Sequence, residues 1–503
     1  MSTNLITLPI IVPMFTAIIC MFLHGRDIRL QRAVSGIAAV SLLGISLYIL
    51  SRVAGGGEIL VFTASGWAPP FGIVLAVDIF SAIMLTMLSL VSLCCLSFAF
   101  VGLDKAREEN YFYPCWFLIM MGINGSFVTG DIFNLYVMFE IMLMASYVLS
   151  VLGNTKGQLR ESFKYLILNM VSSTIFVIAL AMLYGMTGTL NMADLAQKIA
   201  TLEDQSLITV CAMIFLIVFG LKGAVFPLYF WLPRTYVEAP APVAAMFGGV
   251  LTKVGVYAMV RVFTLIFVGN VSYTHTVILW ISAFTMLLGV FAALSQMHFK
   301  RILSMHIISQ VGYMVMGLGL FTPLSIAGTV FYLVHHMPVK TALFLFEGAT
   351  EKITGTSDLR RMGGLLSRYP WLGWGFFITG LSLAGVPPLS GFVSKLVLMD
   401  AAVHADEIWI MVVALLTGFF TLFSMTKIFF YVFWGEEKPL PPQPQDFRYW
   451  KYLPGAFVLL FVSISVGLCA EPIMEVVMRA SDQLMDPTQY IEAVMAVPGV
   501  RNY

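Results

Sequence analysis

Charge is what this chain has least of. Only 11% of its residues are Asp, Glu, Lys or Arg, against about 25% in ordinary soluble domains. The shortage excludes a string of soluble domains. The few charges nearly cancel, leaving a net charge of +1, so neither nucleic acid nor an acidic partner is implied. Cysteine is also scarce. Cys20, Cys94, Cys95, Cys115, Cys211 and Cys469 all fall in apolar stretches and make no CxxC pair; they read as small buried hydrophobes. There is no P-loop, no GxGxxG after a strand and no HExxH, so no cofactor and no metal are expected. Met1 to Phe22 lacks a basic start and a small-residue cleavage site. It is expected to remain as the first helix rather than be removed.

What the chain does have is long apolar runs. Hydrophobic residues make up 59% of it, and a helix that spans a bilayer needs about 20 mostly apolar residues. Fourteen runs are candidates: 5–23, 33–52, 73–101, 111–128, 132–152, 162–185, 207–232, 242–267, 275–296, 303–321, 324–350, 371–401, 407–433 and 451–470. The expected fold is an all-α polytopic membrane protein with one membrane domain. The longest polar stretches are 434–450 and the tail after 471.

Basic residues favour the cytoplasmic loops of membrane proteins. With the loop after the first run taken as cytoplasmic, Arg26, Arg29, Arg32, Lys105, Arg107, Lys156, Arg160, Lys164, Arg234, Lys300, Arg301 and most others share its side. Only Arg52, Lys198, Arg479 and Arg501 fall outside. Both termini are therefore expected on the outer side.

A weak internal repeat accompanies the runs. Leu251–Tyr257 echoes Met425–Tyr431, and Lys222 and Lys395 each lie beside a proline break. The spacing corresponds to five helices, an odd number, so the copies would be inverted, as in many transporters. The expected organisation is helices 1–3 over 1–101, one repeat over 111–267 (helices 4–8), a second over 275–433 (helices 9–13), and helix 14 with the tail over 451–503. Helices 7 and 12 are expected to be broken at Pro227, Pro233, Pro387, Pro388 and Gly391.

A lysine inside a membrane is costly and marks a functional site by default. Lys222 and Lys253 lie in helices 7 and 8, Lys395 in helix 12, and Glu140 is the lone charge of helix 5. Burial disfavours a charged amine and a nearby carboxylate favours it, so moving a carboxylate partner switches a lysine between holding and releasing a proton. The bland alternatives are snorkelling lysines and a protonated structural carboxyl at Glu140. Helix 11 carries Tyr332, His336, Lys340 and Glu347 on one face, a pattern that suits a proton relay. His335 points off that face and receives no role. His306 and Lys427 are secondary candidates, with Lys427 near enough to the cytoplasmic end to snorkel. Arg261 is expected to anchor the outer end of helix 8. Asp78, Asp131 and Glu238 are expected to be solvated or to cap helices.

GLKGAVFPLYFWLPRTYVEAPAPVAAMFGGVLTKVGVYAMVR (220–261), Phe139-Glu140, HHMPVKTALFLFEGA (335–349) and AGVPPLSGFVSKL (384–396) closely resemble the antiporter-like subunits shared by respiratory complex I and the Mrp-type multisubunit cation/proton antiporters. The resemblance covers nearly the whole chain. It implies fourteen helices, inverted repeats of helices 4–8 and 9–13, and broken helices 7 and 12. It also implies that Glu140 and Lys222 are an essential pair, with Lys253, His336, Lys340 and Lys395 continuing a central polar axis. The match is nearer the Mrp type, because the complex I subunit most similar around helix 8 typically has a glutamate where Lys395 stands. The expected function is proton translocation in a sodium/proton antiporter of the bacterial plasma membrane, among other subunits. The alternatives are a proton-pumping subunit of complex I or a membrane-bound hydrogenase, a structural subunit without transport, and a standalone transporter.

Overall fold

The computed structural model describes residues 3–25, 27–202, 204–443 and 447–496. Arg26 and Arg501 of the charge count, and the extreme termini, lie outside them. The chain is almost entirely helical. In order run α1 (Leu8–Phe22), α2 (Ile28–Gly56), a short hairpin of β1 (Leu60–Thr63) and β2 (Val74–Val77), then α3 (Ile79–Gly102), α4 (Phe112–Val128), α5 (Ile132–Ser150) and α6 (Lys156–Thr187). The seventh helix is split into α7a (Ser206–Gly223) and α7b (Leu232–Glu238). Then come α8 (Ala241–Leu265), α9 (Val271–Leu294), α10 (Phe299–Leu320) and α11 (Pro323–Thr354). The twelfth is split into α12a (Pro370–Ala384) and α12b (Ser390–His404). Last are α13 (Ile408–Trp434), α14 (Pro454–Leu468), α15 (Ala470–Met485) and α16 (Pro487–Met495).

Ten of the described helices are long and apolar enough to cross a bilayer, eleven if α14 and α15 are one bent span. Of the remaining runs, α4 is shorter, the twelfth is in two pieces, and α11, with its buried His336, Lys340 and Glu347, is long but not among the ten. Helix ends are closed locally. Asp131 accepts from Asn134 N, and Thr155 and Thr322 form reciprocal capping boxes with Gln158 and Ser325. Each satisfies backbone donors that a membrane interior cannot.

The layers follow from burial. α8 is fully buried, α10 nearly so, and α11 is buried on every side along most of its length. They form the interior. α1, α2, α6 and α13 surround it and expose Phe15, Ile37, Phe163, Phe419 and Phe423, as lipid- or subunit-facing helices do. Glycines allow the closest approach. A Cβ on Gly255 of α8 would lie 2.5 Å from Gly223 N, so α8 passes directly against the end of α7a.

Two sequence expectations change. The run 73–101 begins with the strand β2, not a helix; a short apolar run such as VLAV fits either. Pro233 opens α7b, and Gly391 is the second residue of α12b; the breaks themselves are 224–231 and 385–389 and hold Pro227, Pro387 and Pro388. Within the described residues the polar tail after 471 forms α15 and α16. α15 turns 84° from α14 and laces the helix ends at one pole. Arg479 donates to the Ala54 carbonyl at 2.6 Å, Ser481 to Pro323 O at 2.6 Å, and Gln483 to Gly57 O at 3.1 Å while accepting from Ile79 N.

Candidate functional site: a buried line of amines

Lys222 occupies the last turn of α7a, immediately before its break. It is 5% exposed. Its Nζ lies 3.3 Å from both Asn169 Oδ1 and Ser173 Oγ of α6. Ser173 also donates to Glu140 Oε1 of α5. Glu140, which is only half-buried, therefore meets Lys222 through one hydroxyl rather than directly. A hydroxyl can donate and accept at once, so Ser173 is a one-step bridge for a proton between carboxylate and amine. Sequence reasoning missed Asn169 and Ser173; their i, i+4 spacing inside an apolar run was the available signal.

Lys253 is fully buried in α8, just after a π-helical turn, Phe247–Leu251. Such turns shift the backbone bonding pattern and recur at functional sites. Its Nζ donates to Gly248 O at 2.6 Å and lies 3.2 Å from Thr252 Oγ1. His336 of α11 is within electrostatic reach of Lys253, Lys340 and Lys395. No described residue hydrogen-bonds Lys340 Nζ or either ring nitrogen of His336. Tyr332 continues the line by stacking on Tyr313 at 5.2 Å between centroids and donating to Gln310 Oε1. From α10, His306 Nε2 lies 2.9 Å from Ser424 Oγ. The α11 face read from the sequence is thus a contiguous polar line from Tyr332 to Lys340.

Lys395 ends that line differently from Lys222. It follows its break, whereas Lys222 precedes its own, so the two are not equivalent positions in a repeat. Yet Lys395 reaches back, and its Nζ lies 2.9 Å from Leu383 O and 2.8 Å from Ala384 O, the last carbonyls of α12a. Those carbonyls lack intrahelical partners and carry the negative end of the helix dipole. An ammonium there is held without a carboxylate. Tyr313 faces it, 5.0 Å from ring centroid to Nζ.

His335, assigned no role from the sequence, is tied to the same break. Its Nδ1 lies 2.7 Å from Ser390 Oγ, and Ser390 and Ser382 each lie 2.9 Å from Ser463 Oγ of α14. The cluster joins both halves of the twelfth helix to α11 and α14. A Cβ on Gly467 would lie 2.5 Å from Pro388 O, so α14 packs directly on the break.

Three other groups fall outside the line. Lys427, half-buried, donates to Leu294 O and Gln296 O at 2.8 Å and so caps the end of α9. Arg261 does not anchor at a surface; it is buried and bonds Asp78 at 2.6 Å. Asp78 also caps α3 through Ser81 N. Burial opposes its ionisation, but Arg261 and these hydrogen bonds hold its carboxyl below the usual carboxylate range. Lys300, counted from the sequence among loop charges, is buried against Glu347 and Glu351.

A row of buried amines with carbonyl, hydroxyl or no protein partners can take up and release protons, because no strong ion pair fixes their charge.

Comparison with known proteins follows the same line. The family model described as NADH:quinone oxidoreductase/Mrp antiporter, TM, matches residues 129–421. The D-type subunit of the Na(+)/H(+) antiporter of Alkalihalophilus pseudofirmus is 52% identical over 98% of this chain and 99% of that relative. Its counterpart in Bacillus subtilis is 42% identical over the same shares. Among solved structures, a chain of the Mrp complex from Dietzia sp. DQ12-45-1b superposes with TM-score 0.92 at 33% identity, covering 98% of this chain and all of that one. A chain of the membrane-bound sulfane sulfur reductase, an archaeal respiratory membrane complex, superposes with TM-score 0.90 at 27% identity, covering 97% and 99%.

Proposed function

Because the chain belongs to the NADH:quinone oxidoreductase/Mrp antiporter family, we propose that it is the proton-carrying subunit of a multisubunit sodium/proton antiporter, the counterpart of the D-type antiporter relatives. The antiporter relative matches end to end at 52% identity. The redox-driven sulfane sulfur reductase shares the fold at 27%, so fold alone does not separate the two and identity favours the antiporter.

The observation that carries the proton role is the Glu140–Ser173–Lys222 bridge. A scaffold has no reason to bury an amine within one hydroxyl of a carboxylate. From there protons pass by Lys253, His336 and Lys340 to Lys395, with Tyr332 and His306 beside the route and Lys427 serving as a helix cap. Fourteen spans arise if α4, α11, the broken twelfth helix and α14 each cross once besides the ten. The two breaks fit the inverted repeats of helices 4–8 and 9–13, aligned by the breaks rather than by the lysines. Both termini then lie on the outer side of a bacterial plasma membrane. Sodium moves elsewhere in the complex, driven by proton flow through this chain.

The test is a sodium pulse to vesicles that contain the whole complex, followed by a pH probe. Glu140→Ala should abolish exchange while the complex still assembles. Normal exchange by that assembled variant would refute the reading.

A further inference from the structure

Lys300, the second residue of α10, is 3% exposed, and the line of amines does not use it. Its Nζ lies 3.1 Å from Glu351 Oε2, 3.9 Å from Glu347 Oε2 and 3.4 Å from Ala239 O. One ammonium therefore serves two carboxylates. Glu347 Oε1 accepts from Ser357 Oγ at 2.7 Å, whereas its Oε2 has no hydrogen-bond partner among the described residues. Glu347 is fully buried, while the Glu351 side chain is 42% exposed.

Glu351 and Lys300 line a cavity of about 360 Å³ with Glu238, Gln158 and Arg107. It has room for several waters. It lies at the pole of the basic loops, opposite the α15 lacing. On the inner side, α11 spaces Glu351, Glu347, Phe344, Lys340 and His336 four, three, four and four residues apart, which keeps them on one face. Phe344 is the one apolar group in that row. Its ring centroid lies 5.9 Å from Lys340 Nζ.

We propose that Glu347 is the proton-loading residue of the C-terminal half and that Lys300 gates it. The inference rests on the proton-carrying role of Lys340. A hydronium ion in the cavity gives its proton to Glu347 Oε2. Glu347 then passes the proton, through water and past Phe344, to the neutral amine of Lys340. Lys340 becomes an ammonium and Glu347 returns to a carboxylate. Lys300 resting nearer Glu351, at 3.1 Å against 3.9 Å, leaves Glu347 Oε2 without a hydrogen bond and open to load. Lys300 moved onto Glu347 closes the port with an ion pair. Arg107, Glu238, Lys352 and His298 are further charged or titratable groups around this cluster.

The test uses the assembled complex in vesicles, with exchange measured from pH 6 to 9. Glu347→Gln should lower exchange about tenfold or more, and Glu347→Asp should restore part of it. Glu351→Gln should release Lys300 onto Glu347, slow exchange and move its optimum toward lower pH, since loading then needs more acid. A purely structural role would lower the rate without moving the optimum. Wild-type exchange and profile in Glu347→Gln, with Glu140→Ala inactive, would overturn the port and leave the proposed function standing. Normal exchange in Glu140→Ala as well would overturn both. If Glu347→Gln fails to assemble, Glu351→Gln decides: an unchanged optimum overturns the port.

Discussion

Lys395 reaches backward across a helix break to Ala384, placing its Nζ 2.8 Å from that carbonyl. Lys222 comes to its own break from the other side. The Lys395 ammonium thus stands at the end of the first half-helix, where partial negative charge accumulates, whereas Lys222 turns its Nζ to Asn169 and Ser173 of α6. Broken helices of transporters use their exposed ends for ions in the same way.

This geometry makes a substitution test at Lys395. Lys395→Arg keeps the positive charge but cannot shed its proton. If the site only stabilises the break, Arg should work nearly as well as Lys. If it carries protons, Lys395→Arg should lose exchange at least as severely as Lys395→Ala, by about tenfold or more. Vesicle exchange by both variants, normalised to assembled complex, separates the two.

The bridge at Ser173 gives a second prediction. Ser173→Ala removes the hydroxyl between Glu140 and Lys222 and should slow exchange about tenfold, equivalent to about 1.4 kcal/mol on the barrier. Ser173→Thr keeps the hydroxyl and should retain most activity. Wild-type exchange by an assembled Ser173→Ala complex would show that the hydroxyl is not the bridge.

Much of this arrangement is legible in the sequence, and the exceptions have physical reasons. Apolar runs locate the helices because bilayer thickness sets a length. Prolines locate both breaks. Proline cannot, however, distinguish a break from the first turn of the next half-helix, which it also favours; that is where Pro233 sits. Lys300 looks like a loop charge because its partner Glu351 is 51 residues away. Arg261 looks like a surface anchor because Asp78 is 183 residues away. Local patterns cannot report pairs formed only by packing. The tail's α15 gives no apolar run in the sequence because an amphipathic helix lying across helix ends needs none.

His335 shows how an off-face residue acquires a role. The sequence predicts little effect of His335→Ala. The structure predicts the opposite, because the substitution removes one of the hydrogen-bond partners of Ser390 at the twelfth-helix break and opens space beside Gly391. A lost hydrogen bond costs about 0.5–1.5 kcal/mol, and the cavity adds to it. His335→Ala and Ser463→Ala should each reduce the yield of folded complex on mild heating, and both should weaken exchange. A His335→Ala complex with wild-type thermal stability and exchange would show that the cluster is incidental.

The buried Asp78–Arg261 pair predicts an acid limit to stability. The folded-state pKa of Asp78 lies below that of the unfolded chain. The pair therefore stabilises at pH above the unfolded value of about 3.9, and the stabilisation is lost as pH falls through the folded value. Asp78→Asn should cost about 3–5 kcal/mol at neutral pH, because it leaves the guanidinium buried without its counter-charge. It should also flatten the loss of stability below about pH 4. Thermal unfolding of the purified complex across that range checks both. An unchanged acid profile in Asp78→Asn would place the acid-sensitive group elsewhere.

The last prediction concerns what the chain does alone. Its described surface exposes Phe163 and Leu159 on α6 and Phe419, Phe423 and Leu416 on α13. Such faces suit neighbouring membrane subunits or lipid. A chain that carries protons while sodium moves elsewhere has nothing to exchange against when isolated. Purified alone and reconstituted, it should show no pH change on a sodium pulse, whereas the whole complex should. A leak of protons without sodium dependence is compatible with the proposal. Sodium-dependent exchange by the isolated chain at the rate of the complex would make it a standalone antiporter, with its sodium path inside the bundle described above.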